Sequence, residues 1–183
     1  LGIIDLWTRL AVAVRQLPGV RLARFIPEYE LREEGFGVSA GVVPDALVEL
    51  VSSRPAGHTV VRLAIELDRG SESLTILRRK FEALAGTLVL GELPGWPTFT
   101  VVVALDQAGA SREQRVHELL RASGLRNPQI WTPSTDLGAA LADLFAHTVA
   151  PVTDSRHGSG RDASPSSSGA GPAGVTGGGL SDE

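Results

Sequence analysis

Asp45, Glu66, Asp68 and Lys80 are the residues of this 183-residue chain whose types and spacing could do chemistry. From Val60 to Asp68 the side chains alternate with the period of a strand, so Val61, Leu63, Ile65 and Leu67 point one way and Arg62, Ala64, Glu66 and Asp68 the other. Two carboxylates therefore share one face. A second run, Val42 to Val51, opens with Pro44-Asp45, and the short connection Ser52 to Thr59 lets it pair with the first, bringing Asp45 toward the two acids. Carboxylates gathered in this way repel one another unless a cation lies among them, and an all-oxygen donor set suits Mg²⁺. A plainer reading fits the same residues: Asp45 belongs to a Pro-Asp turn, and Glu66 and Asp68 edge the sheet with solvated charge.

Lys80 is the single lysine among 17 lysines and arginines. Its compact ammonium can release a proton or sit against a scissile phosphate as a point charge, where the wide, always protonated guanidinium fits less well. On a helix starting near Glu72, Lys80 falls four residues after Ile76 and three after Leu77. Its stem then borders the apolar stripe Leu74, Leu77, Phe81 and Leu84 and can lean toward the sheet, although a snorkelling surface lysine would have the same spacing. Together the four residues suit phosphodiester hydrolysis: Asp45, Glu66 and Asp68 hold a metal that activates water, and Lys80 orients that water or stabilises the developing charge.

The motif Pro44-Asp45, then Glu66-Leu67-Asp68-Arg69-Gly70-Ser71-Glu72, then Lys80 resembles the signature of the replication-relaxation proteins of actinobacterial and other Gram-positive plasmids and integrated elements. Ser71 stands where that family usually has threonine, and no tyrosine follows soon after Lys80. A looser resemblance runs from about Ile3 to about Val152. It implies a core similar to the restriction-endonuclease-like PD-(D/E)xK nucleases, with Asp45 and Glu66 matching that pattern's acids. The pattern's lysine comes two residues after the glutamate, where this chain has Asp68, so Lys80 would act as a migrated lysine. Two functions follow from the resemblance: a Mg²⁺-dependent DNA phosphodiesterase, or a replication or copy-control regulator that binds DNA or a replication protein without cutting. Asp68 in the lysine position favours the second. Members commonly carry a winged-helix DNA-binding domain ahead of the nuclease-like part, and nothing in residues 1–40 reads as one.

Composition narrows the alternatives. Cysteine is absent, which excludes disulfides, thiolate nucleophiles and cysteine zinc sites. No Gly-rich phosphate loop and no G-x-S-x-G elbow occurs, so a metabolic hydrolase or transferase lacks its usual machinery. No apolar run approaches the roughly 18 residues of a membrane helix, and the start Leu-Gly-Ile-Ile-Asp-Leu-Trp has neither a basic leader nor a cleavage site, so a cytoplasmic location is expected. The net charge of −4 argues against a generically basic nucleic-acid binder. Arginines do cluster locally, at Arg9, Arg15, Arg21, Arg24 and Arg32 and again at Arg112, Arg115, Arg121 and Arg126, so DNA contact from this domain is expected to be weak and salt-sensitive.

The elements that must position the acids follow from periodicity. Ile3 to Leu17 has the apolar spacing of one helical face (Ile3, Leu6, Trp7, Leu10, Val14, Leu17) and ends at Pro18-Gly19. Val20 to Ile26 reads as a strand, with Glu28 and Glu30 beyond it as solvent-facing acids or extra ligands. Residues 33–41 turn the chain into the Asp45 strand, and His58 falls in the next turn, at the surface. Ser71 or Ser73 caps the Lys80 helix. Gly91 to Pro97 is a loop carrying Trp96, and Thr98 to Leu105 is a β-branched run suited to a strand covered on both faces. A helix over Ser111 to Ser123, a short strand over Asn127 to Trp131 and a helix from Leu137 to about Val149, capped by Ser134 or Thr135, complete the set. The expectation is an α/β domain over residues 1–152, a mixed sheet of four to five strands flanked by helices with a restriction-endonuclease-like core. A Gly/Ser/Pro-rich tail follows over residues 153–183, too polar to offset its ordering entropy.

Overall fold

Leu6, Leu10, Ala13 and Val14 recur every three to four residues and are all buried, which is why α1 (Ile3–Arg15) lies with one face against the rest of the chain. Trp7 falls at the flank of that stripe and remains 45% exposed, unlike its expected inward place. In the computed structural model, residues 2–35, 41–54, 57–90, 96–106 and 109–148 are described. They form, after α1, the elements β1 (Val20–Pro27), α2 (Glu28–Glu33), β2 (Ala46–Arg54), β3 (Gly57–Asp68), α3 (Leu74–Leu90), β4 (Thr100–Leu105), α4 (Ala110–Ala122), β5 (Gln129–Trp131) and α5 (Leu137–His147). The predicted tail over residues 153–183 lies outside the described residues, as do residues 36–40 and 91–95 of the predicted turn and loop. Among the described residues no helix is long and apolar enough to cross a membrane.

The strands make one mixed sheet in the order β1-β2-β3-β4-β5. The first two pairings are antiparallel and the last two parallel, so α3 and α4 serve as the crossovers. Alternation sorts the strand side chains into two layers. Ala46, Val48, Leu50, Val61, Leu63, Ile65, Val102 and Ala104 pack with α1 and α5. On the opposite face Leu47, Ala64 and Val101 meet Leu84 and Trp96, while Val103 and Leu105 meet Leu77 and Phe81 of α3 and Val116 and Leu120 of α4. Helices therefore cover both faces, as the β-branched run of β4 requires: all but its first residue are buried. On the α3 side, Trp96 is clasped between Arg24 and Arg62, 5.8 and 5.9 Å from its ring centroid, and Arg62 is fixed in turn by Glu49 at 2.9 Å.

Several boundaries differ from the sequence reading. β2 begins at Ala46 rather than Val42, because the β2–β3 ladder starts at the Ala46–Ile65 pair. The two strands extend past the expected turn, as far as Arg54 opposite Gly57, and His58 is an exposed strand residue opposite Ser53 rather than a turn residue. Gly19 lets β1 join them: its φ is +75°, and a Cβ there would stand 2.9 Å from the Ser53 carbonyl oxygen. The unexpected α2 begins after extended Pro27, buries Leu31 and pairs Arg32 with Glu28 one turn back. The Lys80 helix begins at Leu74 rather than near Glu72, with the Ser73 hydroxyl accepting the Ile76 N–H at 3.3 Å. Asp136, not Ser134 or Thr135, caps α5 by accepting the Ala139 N–H at 3.1 Å, while the Thr135 hydroxyl accepts the Thr132 N–H.

Candidate functional site

Asp45 stands at the mouth of β2, one step beyond the Ala46–Ile65 pair and so beside Glu66 in the β2–β3 register. Its Oδ2 accepts the Leu67 N–H at 2.6 Å, which fixes the carboxylate against β3, and its carbonyl accepts the Glu28 N–H at 2.9 Å. Burial pushes the Asp45 carboxyl above its usual range. The Leu67 N–H and the Lys80 charge pull it back, and Glu28 and Glu72 add to the rise.

Glu66 is 1% exposed, in the middle of the face that looks toward α3. An acid so deep needs a cation, and Lys80 supplies it: Nζ donates to Glu66 Oε2 at 3.1 Å and to Glu72 Oε1 at 3.0 Å. Leu77, Phe81 and Leu84 anchor α3 on the sheet, and that anchoring turns the lysine stem inward. Burial drives the Glu66 carboxyl up to about 8 against the pull of Lys80, with Asp45 adding to the rise. For Lys80 burial works downward, and Glu66, Glu72 and Asp45 outweigh it, so the ammonium is held more firmly than an ordinary lysine.

Asp68 shares the Glu66 face, as alternation requires, and is equally buried. Its oxygens are committed elsewhere: Arg112 of α4 grips Oδ2 through Nε at 2.7 Å and Oδ1 through one terminal nitrogen at 2.6 Å, and the Gly70 N–H donates to Oδ1 at 2.9 Å. That same Arg112 nitrogen also donates to the Glu72 carbonyl at 2.8 Å. Asp45, Glu66 and Lys80 thus come together, whereas Asp68 answers to a guanidinium. Glu28 and Glu30 turn to local partners, Arg32 and the Tyr29 hydroxyl.

Glu72 and Arg112 are the residues that sequence reasoning placed differently. In the sequence Glu72 marks only the expected start of the Lys80 helix, and its place in the Glu-x-Asp-Arg-Gly-Ser-Glu string is the only signal of a further role. Arg112 reads as one of a surface cluster. Arg9, from the other cluster, is likewise occupied, donating to the carbonyls of Thr132, Pro133 and Thr135.

Among the described residues no group of three or more acids or histidines is placed to hold a metal ion. Two carboxylate oxygens in the cluster nevertheless lack a partner. Glu66 Oε1 and Glu72 Oε2 are buried with no hydrogen-bond partner, in a cluster of three acids around one ammonium. Mg²⁺ is commonly held by one or two carboxylates, with waters and substrate phosphate completing its shell.

Residues 1–85 match the family model described as replication-relaxation, which supports the resemblance carried by the motif. The matched span runs from α1 into α3 and contains Asp45, Glu66, Asp68, Glu72 and Lys80, while Arg112 lies beyond it. No curated protein and no solved structure matches the chain.

Proposed function

We propose that this chain is a replication-related, DNA-associated cytoplasmic protein of the replication-relaxation type, and that Asp45, Glu66 and Lys80 form a metal-dependent phosphodiester-cleaving site on a restriction-endonuclease-like sheet. The observation that carries this reading is the reach of Lys80 from α3 to Glu66 on β3, directly beside Asp45. It gives the migrated lysine a structural meaning. Asp45 and Glu66 would hold the Mg²⁺, which when bound neutralises phosphate charge and lowers the pKa of coordinated water. Lys80, kept charged by Glu66 and Glu72, offers a positive point charge beside those oxygens for a phosphodiester. The Asp45–Leu67 hydrogen bond holds one ligand rigid against the strand that carries the other. Supercoiled plasmid incubated with the protein and Mg²⁺ or Mn²⁺ should be nicked, and Asp45→Ala should abolish nicking. Equal nicking by that variant overturns the assignment.

A second reading is favoured by the Asp68–Arg112 pair, which puts a neutralised acid where the nuclease pattern has its lysine. On that reading the cluster is a structural lock, and the protein regulates replication by binding DNA or a replication protein without cutting. Calorimetry separates the two: no Mg²⁺ or Mn²⁺ uptake that depends on Glu66 would leave the regulatory reading standing.

A further inference from the structure

Glu72 belongs to neither β3 nor α3. It lies in the link between them, after the left-handed turn at Gly70 (φ +78°), where no helical ladder fixes its backbone. Its carbonyl accepts from Arg112 at 2.8 Å, and its side chain reaches Lys80 at 3.0 Å. Arg112 itself stands in the first turn of α4, where the helix dipole disfavours a cation. Its fork is satisfied by the buried Asp68 carboxylate at the end of β3. One guanidinium thus ties the end of β3, the link and the start of α4 together, next to the lysine.

We propose that Arg112 is a positioning residue that clamps the β3–α3 link so that Glu72, together with Glu66, captures the Lys80 ammonium. Asp68 is then the anchor of the clamp, which explains a buried carboxylate with both oxygens turned from the Asp45–Glu66 pair. Without the fork the link loses its hold on the Glu72 backbone, and the longer reach to Lys80 must be maintained by the side chain alone. The lysine then samples solvent. The bearing of this clamp on cleavage rests on the function proposed above, but the capture of Lys80 does not.

Because Lys80 is the only lysine, amine acylation of the intact chain reports on it directly, with the α-amino group resolved by peptide mass spectrometry. With an N-hydroxysuccinimide acetate reagent at fixed pH, in the absence of DNA and metal, Arg112→Gln should raise the rate of Lys80 acetylation by about tenfold, the scale of one lost charge-assisted hydrogen bond. Glu72→Ala should do the same while leaving the Asp68–Arg112 pair in place. The double variant should be no faster than either single one, since both remove the same contact. Arg112→Gln within twofold of the unaltered protein, or rates that multiply in the double variant, would overturn the proposal. Loss of plasmid nicking is scored separately, so a protein that never cuts DNA can still pass or fail this test.

Discussion

The Lys80 ammonium lies 3.1 Å from Glu66 Oε2, a carboxylate only 1% exposed, so the chain's one lysine is the counter-charge of the most buried glutamate among the described residues. Each group is there because the other is. Burial pushes the acid toward its protonated form and the lysine toward its neutral one, and each partner's charge opposes that shift in the other.

The pair makes stability depend on pH in a defined direction. Glu66 titrates near 8 in the folded protein against an ordinary value of 4.5, so the folded state binds its proton more tightly than the unfolded chain does. That contribution is complete below about pH 4.5 and is lost as pH rises through 8, and the raised Asp45 carboxyl acts in the same sense. Lys80, also raised, changes only in the alkaline range. Urea midpoints should therefore fall between pH 5 and 8 by the equivalent of a few kcal/mol. Glu66→Gln should flatten the slope.

Metal uptake should release a proton. Burial holds the Glu66 carboxyl well above its usual range even with Lys80 beside it, so the pair retains part of a proton near neutrality, and a cation binding there must displace it. Titration calorimetry with Mg²⁺ or Mn²⁺ in two buffers of different ionisation enthalpy should give different heats, the sign of the difference showing proton release. Apparent affinity should rise from pH 6 to pH 8.

Asp68→Asn should destabilise the fold by about 3 kcal/mol, the usual cost of removing one partner from a buried ion pair, because Arg112 keeps its charge and loses its anchor. Thermal unfolding of the variant measures this. A loss below about 0.5 kcal/mol would place the pair among weak surface bridges.

Phe81 carries α3. Fully buried against Leu77, Val103 and Val116, its replacement by alanine should cost about 3–5 kcal/mol by denaturant unfolding. The helix that presents Lys80 would sit less firmly, so acetylation of the lysine should accelerate as well.

Much of this was legible in the sequence because it depends on period. Alternation over Val60–Asp68 put Glu66 on the face opposite Ile65, the hairpin brought Asp45 to it, and the Leu77–Phe81–Leu84 stripe turned Lys80 inward. What was not legible depends on tertiary choice. α2 is only six residues long, too short for a helical period to stand out. Ser134, Thr135 and Asp136 are three consecutive capping residues, and local chemistry does not choose among them. Val42 and Val43 have strand character without a ladder partner, so β2 starts after them. Arg112 lies 44 residues from Asp68, and an arginine on a polar helix carries no local mark of a buried partner.

The three tryptophans occupy unequal surroundings: Trp7 is 45% exposed on α1, while Trp96, between its two guanidinium groups, and Trp131 are each 2% exposed. Iodide in solution can therefore collide with one indole and not with the others, and the intrinsic emission separates into a quenchable and a shielded fraction. Loosening of the sheet would shift light from the second fraction to the first, so the native chain carries its own optical gauge of folding without any added label.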